Sequence, residues 1–463
     1  MGSPRAEMVA VYGRRRVGKT FLVRDYFKNK GLYFEVTGVK DGTTEEQLLV
    51  FKEAFQKTFY PTVPVETPRN WREAFALLSR EIEHRKQQKL IVFLDELPWL
   101  ATARSGLMQQ LDHFWNTQWG QQNHLILILC GSAASWMLDS LVHAKGGLHN
   151  RLTHSVRLMP FCLRETRAYL QSNGFSGHPK QILDLFMAMG GIPYYLNQVK
   201  KGLSATLNIN EICFRPDGLL YSEFSDLFAS LFGRAPVYKQ IVFALARHHE
   251  GLSREELFKR VGVATGGTSQ KRLDELEEAG FITRFAPYGR QQDIFYRLTD
   301  EYSLCYARWI QPITKGVIAS ENYWLNKSTS SEWIAWAGYA FENVCYKHLS
   351  QIAQAIKADH TAYLAGAWRA FPRRASQESG AQVDLLFDRD DGVVNLCEIK
   401  YSKNEFVMNR AFVQNCQNKI RVFKEKTKTK KDVLLTMITL AGVKDNAYKK
   451  ELVAAEARLE DLF

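Results

Sequence analysis

Met8-Val-Ala-Val-Tyr12, Gly13-Arg-Arg-Arg-Val-Gly18-Lys19-Thr20 and Phe21-Leu-Val-Arg-Asp-Tyr-Phe27 follow one another without a gap near the start of the chain. The first run is short and apolar, as in a buried strand, and the last repeats apolar residues at helical spacing. Strand, GxxxxGKT loop and helix, in that order, form the arrangement a P-loop requires. Gly13 and Gly18 let the backbone curl, so that the N–H groups along Arg14, Arg15, Arg16 and Val17 face a phosphate chain, and the helix opening at Lys19, Thr20 and Phe21 adds its positive dipole end. Lys19 supplies a point charge for the β- and γ-phosphates, and Thr20 a hydroxyl ligand for Mg²⁺. The whole segment, Gly13 through Phe21, is therefore the expected ATP-binding loop.

A second apolar strand, Leu90-Ile-Val-Phe-Leu94, ends in Asp95-Glu96. Such a pair taken alone reads equally well as a helix cap, but its place about 75 residues after the loop makes it the other half of the site. Asp95 is expected to hold Mg²⁺ through water, and Glu96 to orient or deprotonate the attacking water. A third strand, Leu125-Ile-Leu-Ile-Leu-Cys130, ends in Gly131-Ser132. Arg151 is a candidate finger for a γ-phosphate, with a structural salt bridge an equal alternative.

The chain has 463 residues, which at roughly 150 per domain implies about three domains. Hydrophobic residues make up 46% and charged residues 24%, the balance of ordinary globular proteins, which excludes disordered and collagen-like classes. The longest apolar run, Leu125 to Cys130, is too short to span a membrane, and no leader pattern opens the chain, so a cytoplasmic protein without membrane contact is expected. Seven cysteines are scattered and never spaced as CxxC, which argues against a disulfide framework and a zinc site and for buried small hydrophobes. The 61 Lys and Arg outnumber the 49 Asp and Glu, leaving +12, a balance that favours polyanionic partners. Between Tyr401 and Lys431 nine Lys/Arg face only Glu405 and Glu425; a solvated helix face and a nucleic-acid contact are both open.

From Pro236 the pattern shortens. Helices are expected over Tyr238–His248, Ser253–Val261 and Thr268–Ala279, with Ser253 and Glu256 as a capping box and Gly280 closing the third. Strands Phe281–Phe285 and Asp293–Leu298 follow, joined through Pro287-Tyr-Gly-Arg290, which completes the pattern of a winged helix-turn-helix. Its third helix carries Asp274, Glu275, Glu277 and Glu278 against Lys271 and Arg272, a poor match for phosphates. Contact with a partner protein, another copy or another domain is therefore favoured there over DNA. His248-His249 reads as surface.

Further on, Gly338-Tyr-Ala-Phe-Glu342 begins a helical stretch whose bland reading is a core helix with one polar residue. Ala381-Gln-Val-Asp384-Leu-Leu-Phe387 and Val393-Val-Asn-Leu-Cys-Glu398-Ile-Lys400 are strands around the turn signal Arg389-Asp-Asp-Gly392. For a two- or three-residue turn, Asp384 pairs with a residue between Cys397 and Ile399, so Asp384 and Glu398 come within about one residue of facing each other. Glu398 and Lys400 share a face. This is the D…ExK pattern of the PD-(D/E)XK nucleases. Asp384 and Glu398 are expected to bind Mg²⁺, Lys400 to position water or neutralise the phosphate, and Glu342 to complete the metal shell.

The runs Phe93-Leu-Asp-Glu-Leu-Pro-Trp99, Cys130-Gly-Ser-Ala-Ala-Ser-Trp136, Gly146-Gly-Leu-His-Asn-Arg151 and Gly190-Gly-Ile-Pro-Tyr194 resemble the archaeal-type, AAA/STAND-related ATPases of prokaryotes. The resemblance covers nearly the whole chain and extends to the restriction-endonuclease-like domain usually fused to that family. It implies that Ser132 senses the γ-phosphate and that the turn holding Gly191 and Pro193 approaches the nucleotide base. Relatives carry a short helical segment ahead of the P-loop strand that helps to cover the adenine. Only Met1 to Glu7 precede it here, so a shortened start and reduced nucleotide affinity are expected.

The expected fold is α/β: a P-loop ATPase core with a parallel sheet over 1–160, a helical lid over 161–232, a winged helix over 233–312 and a restriction-endonuclease-like domain over 313–463. The expected function is ATP hydrolysis controlling a Mg²⁺-dependent nuclease that acts on DNA. The alternative is an ATP-driven switch whose inactive nuclease fold only binds partners; a transcription regulator acting through the winged helix is a third reading.

Overall fold

Five strands, β1 (Glu7–Tyr12), β2 (Leu32–Thr37), β3 (Leu90–Asp95), β4 (Leu125–Gly131) and β5 (His154–Arg157), form a wholly parallel sheet in the order β2-β3-β4-β1-β5 in the computed structural model. Residues 5–142, 151–289, 292–314, 322–370 and 380–463 are described. The stretch from Gly146 to Asn150, Arg290 and residues 1–4, all used in the sequence reading, lie outside them. Two compact units emerge, one of residues 1–159 with 274–279, the other of 160–273 with 280–463.

In the first unit the central strands are apolar on both faces because helices cover both. Leu90, Val92 and Leu94 of β3 and Leu125, Leu127 and Leu129 of β4 point to one side, where they meet Phe34, Phe51, Phe55, Trp71, Phe75 and Trp119. The intervening Ile91, Phe93, Ile128 and Cys130 pack with Val11 and Val23 on the other side. The helices on the larger face start at strong caps: Thr43 and Glu46 make a reciprocal capping box for Thr44–Phe59, and Asn70 caps Trp71–His84. Strand β4 lies between the P-loop strand β1 and the acidic strand β3. Its register sets Tyr12 against Gly131 and Leu94 against Leu129, so Gly13, Asp95 and Ser132 leave the sheet at one carboxyl edge, where open α/β sheets bind ligands.

The second unit contains two further sheets. Helices Ala235–Ala246, Arg254–Val261 and Gly267–Glu278, the last of which runs into the first unit, alternate with a small antiparallel sheet of β6 (Leu252–Ser253), between the first two helices, and β7 (Ile282–Phe285) and β8 (Phe295–Leu298) after the third, in the order β6-β8-β7. The Ser253/Glu256 capping box forms, and Gly280 adopts φ +76°. The two-residue β6 is an addition to the expected ribbon. The last sheet has the order β13-β12-β11-β10-β9, from β9 (Tyr363–Ala370), β10 (Ala381–Arg389), β11 (Val393–Lys400), β12 (Asp432–Thr439) and β13 (Val453–Arg458). It is antiparallel from β9 to β11 and parallel from β11 to β13. Helix Arg410–Thr427 lays Phe423 and Val422 against Trp368, Val383 and Leu396 on one side of it.

Candidate functional site

Two groups of polar side chains are gathered at sheet edges, one in each unit. In the second unit, β10 and β11 form a hairpin closed by Asp390 to Gly392, with Gly392 at φ +86° supplying the left-handed turn residue. The register pairs Leu385 with Cys397, which brings the preceding Asp384 opposite Glu398. On its other edge β10 pairs Val383 with Trp368 and Leu386 with Gly366, so Asp384 and Leu385 together face the single residue Ala367. This is a β-bulge, a device that re-aims a side chain. It frees the Asp384 carbonyl, which accepts a hydrogen bond from the Tyr346 hydroxyl, while Asp384 Oδ2 accepts from the Ile399 N–H at 3.4 Å.

Glu398, 3% exposed, is held by two ammonium groups. Lys400 Nζ donates to its Oε2 at 3.3 Å, and Lys419 from helix Arg410–Thr427 donates to Oε1. Glu342 approaches from helix Ser331–Lys347. Burial and the neighbouring Asp384 carboxylate push its pKa up to about 8 against the opposing pull of Lys400 and Arg297. Asp384 is raised too, by burial and by Glu398. Lys400 is pushed down by burial but ends above its ordinary value, because Glu398 and Asp384 stabilise its charge. Carboxylates that raise one another in this way lack positive charge, and their oxygen chemistry suits a hard cation. Among the described residues no three His, Cys, Asp or Glu side chains gather as a ready metal cage. Magnesium usually takes only one or two carboxylates and keeps several waters, which is what Asp384 with Glu398 can offer.

In the first unit, Lys19 is buried over its own loop, with Nζ donating to the carbonyl oxygens of Gly13 and Arg14 at 3.0 Å each and to Ser132 Oγ at 3.3 Å. Burial lowers its pKa, and Cys130, Glu96 and Asp95 counter the effect. The Thr20 hydroxyl donates to Asp95 Oδ2 at 2.8 Å, so the two expected Mg²⁺ ligands already touch. Asp95 Oδ1 accepts the N–H of Glu96 at 3.1 Å. Glu96 adopts φ +49°, a left-handed conformation uncommon outside glycine. That conformation accompanies the turn of its carboxylate onto Ser132, which donates its N–H at 3.0 Å and its hydroxyl. Lys19, Ser132 and Glu96 thus form one polar chain. Gly13 has φ +145°, and a Cβ there would stand 2.2 Å from the Leu158 carbonyl oxygen.

Residues 2–199 match the family described as an ATPase domain predominantly from Archaea. That stretch is a P-loop ATPase domain. An uncharacterized protein of Methanocaldococcus jannaschii is 23% identical over 395 residues, 83% of this chain and 80% of its own length. Among solved structures, the Walker-type ATPase of Pyrococcus abyssi has a TM-score of 0.48 at 19% identity, covering 65% of this chain and 91% of that one. The Aeropyrum pernix ORC2 protein, solved in ADPNP–ADP complexes, has a TM-score of 0.40 at 13% identity, covering 68% and 90%.

The ATPase domain brings Gly13, Lys19, Thr20, Asp95, Glu96 and Ser132 together, with Val17 buried beneath the loop. Arg15 and Arg16 are half-buried, Arg16 at φ +72°, and Phe21 is 74% exposed. Arg151 is exposed ahead of β5. Pro193 opens helix Pro193–Leu196 in the second unit, and Gly191 before it packs so closely on Phe161 that a Cβ would fall 1.9 Å from a carbonyl oxygen.

The sequence reading missed Lys419 as a site residue, although it sits on the buried stripe of its helix, three residues after Cys416 and four before Phe423. It also missed Tyr346 and the bulge at Asp384. The cationic stretch is partly turned inward, where Lys419 meets Glu398 and Lys431 meets Asp388 at 2.7 Å; Arg421 pairs with Glu425 at 2.8 Å on the surface. Lys403, Arg410, Lys424, Lys428 and Lys430 remain exposed. Of the seven free cysteines, Cys162 is half-exposed and the others are buried. No helix among the described residues is long and apolar enough to cross a membrane.

Proposed function

We propose that the chain is an ATP-hydrolysing protein whose C-terminal sheet is a PD-(D/E)XK nuclease domain, cutting DNA under control of the ATPase domain. Residues 233–312, three helices and an antiparallel ribbon, act as a winged helix, and the acidic end of its third helix suits contact with protein better than with phosphate. The observation that carries the reading is the meeting of Asp384, Glu398 and Lys400 at one hairpin edge, with Glu342 facing them from a helix.

In the ATPase domain, Thr20 and Asp95 would hold Mg²⁺ against the phosphates, Lys19 would move from its loop carbonyls to the β- and γ-phosphates, and Glu96 would orient water. Ser132, bonded to both Lys19 and Glu96, relays the state of the γ-phosphate between them. In the nuclease domain, Asp384 and Glu398 would hold Mg²⁺, which when bound polarises the phosphodiester and acidifies a water. Lys400, kept charged by Glu398 and Asp384, neutralises charge that develops on the phosphate. Glu342 holds a proton in good part at neutral pH, which limits the negative charge of the cluster.

A link between the lid and the nuclease site supports the control. Helix Pro179–Met189 runs into the Gly190-Gly191-Ile192-Pro193 turn, and its half-buried Asp184 accepts a hydrogen bond at 3.0 Å from Tyr401, the residue after Lys400. Purified protein incubated with DNA and Mg²⁺, with and without ATP, should cut the DNA, and Asp384→Ala or Lys400→Ala should abolish cutting. Equal cleavage by those variants removes the nuclease reading. One observation favours a second reading, a switch with an inactive nuclease fold: Glu398 is already neutralised by both Lys400 and Lys419. That reading predicts ATP-responsive binding without cleavage under any metal.

A further inference from the structure

Beside the Asp384 cluster lies a cavity of about 350 Å³, within the second unit, whose walls come from the ribbon of the small sheet on one side and from the last sheet and helix Ser331–Lys347 on the other. Glu342 and Asp384, the same carboxylates that face Lys400, line it together with Glu250. Its walls are aromatic. His249 and Tyr339 lie stacked, with ring centroids 4.2 Å apart and planes at 9°, and burial lowers the His249 pKa. Trp368 lines the opposite part.

Between these walls stands a cation. Arg297, 9% exposed, is sandwiched with its guanidinium carbon 4.1 Å from the rings of both Phe285 and Tyr346. Its Nε is buried without a hydrogen-bond partner among the described residues. A buried donor left in this way costs free energy that an acceptor inside the cavity would return. Arg369 and Gln382, bonded to each other at 2.6 Å, add donors and an acceptor at the wall.

We propose that this cavity receives one unpaired base of a nucleic-acid strand, next to the phosphodiester presented to Asp384, Glu398 and Lys400, so that the site acts on single-stranded or frayed strands in preference to intact duplex. The inference rests on the reading of the Asp384 cluster as a phosphodiester site. Its volume lies at the low end of the roughly 300–1,000 Å³ that small-molecule ligands occupy, enough for a nucleotide and too little for a stacked duplex. Aromatic faces accept any base, and cations nearby attract the phosphates, which is how single strands are held. A base stacked on Tyr339 would share the cavity with Glu342 and Asp384, which brings its phosphate toward the carboxylates.

The test uses the full chain and short oligonucleotides of DNA or RNA carrying 2-aminopurine, single-stranded or annealed, with EDTA present to stop cleavage. The single strand should bind with a change in 2-aminopurine fluorescence and more tightly than the duplex. Tyr339→Ala should weaken that binding about 5- to 100-fold, the range base–aromatic stacking supplies. Tyr339 is 45% exposed, so its loss spares the core; unchanged ATP turnover checks the fold. Arg297→Gln, tested the same way, should weaken binding as well. The DNA and RNA arms show which sugar the cavity takes. Equal affinity for duplex and single strand, or full affinity in Tyr339→Ala, overturns the proposal. With Mg²⁺ added, equal cutting of the single strand by the parent and Tyr339→Ala sinks the cavity and spares the nuclease reading. Strand binding that depends on Tyr339 with no cleavage does the reverse.

Discussion

The ATPase site and the carboxylate site solve the problem of buried charge in opposite ways. At the first, Lys19 rests on two neutral carbonyls and a hydroxyl, and Asp95 accepts a hydroxyl and an N–H, so each charged group has short-range polar partners supplied largely by the loop and strand ends beside it. At the second, three carboxylates and two ammonium groups converge from β10, β11 and two helices, and burial with mutual repulsion drives Glu342 and Asp384 above their ordinary values. The first arrangement is preorganised for an anion. The second crowds buried carboxylates that raise one another, and a divalent ion would relieve that repulsion.

The contrast breaks most visibly at Lys19. Lys19→Ala removes the cation aimed at the phosphates and should lower ATP turnover about 100- to 1,000-fold, the usual effect of losing one charge-stabilising donor; turnover near that of the parent would show that the loop does not hold the nucleotide as described. Gly13→Ala comes next. The positive φ and the 2.2 Å approach to Leu158 should cost about 1–3 kcal/mol of strain or more. Gly18→Ala, where φ is also positive but the space is open, should cost less, as thermal melting can show.

At the carboxylate site the smaller effect is on pH dependence. Glu342 has a folded pKa of about 8, above its ordinary 4.5, so between those values the folded protein binds more protons than the unfolded chain. Stability contributed by its protonation is full below about 4.5 and lost as pH rises through about 8. Melting in EDTA should therefore show Glu342→Gln gaining on the parent as pH rises across that window, and added Mg²⁺ should narrow the gap; parallel curves would mean that the carboxylates do not repel. Smallest should be Tyr401→Phe. It removes one hydrogen bond to half-buried Asp184, about 1 kcal/mol, and should reduce the stimulation of cleavage by ATP while leaving ATP turnover itself unchanged.

These differences track how far each site could be read from the chain. The loop from Gly13 to Thr20 is contiguous, and Asp95 and Ser132 end strands of unmistakable apolar pattern, so parallel packing alone delivers them to one edge. The hairpin pairing of Asp384 with Glu398 was legible because a tight turn fixes the register. Lys419 was not, since its place depends on how helix Arg410–Thr427 docks on the sheet. The bulge at Asp384 was not either, because it arises in pairing with β9, a strand whose sequence gives no turn signal to set its register.

Sequence by itself therefore determined the local chemistry: a phosphate loop, an acidic strand end, a serine strand end and a carboxylate hairpin, each fixed by spacing within a few residues. Tertiary structure alone decided which charges meet. The Lys19–Ser132–Glu96 chain depends on β4 lying between β1 and β3, and the Lys419–Glu398 pair and the aromatic cavity on the packing of helix and ribbon against the last sheet. Pairing and docking bring together residues whose separation along the chain carries no periodic signal, and burial there raises Glu342 and Asp384.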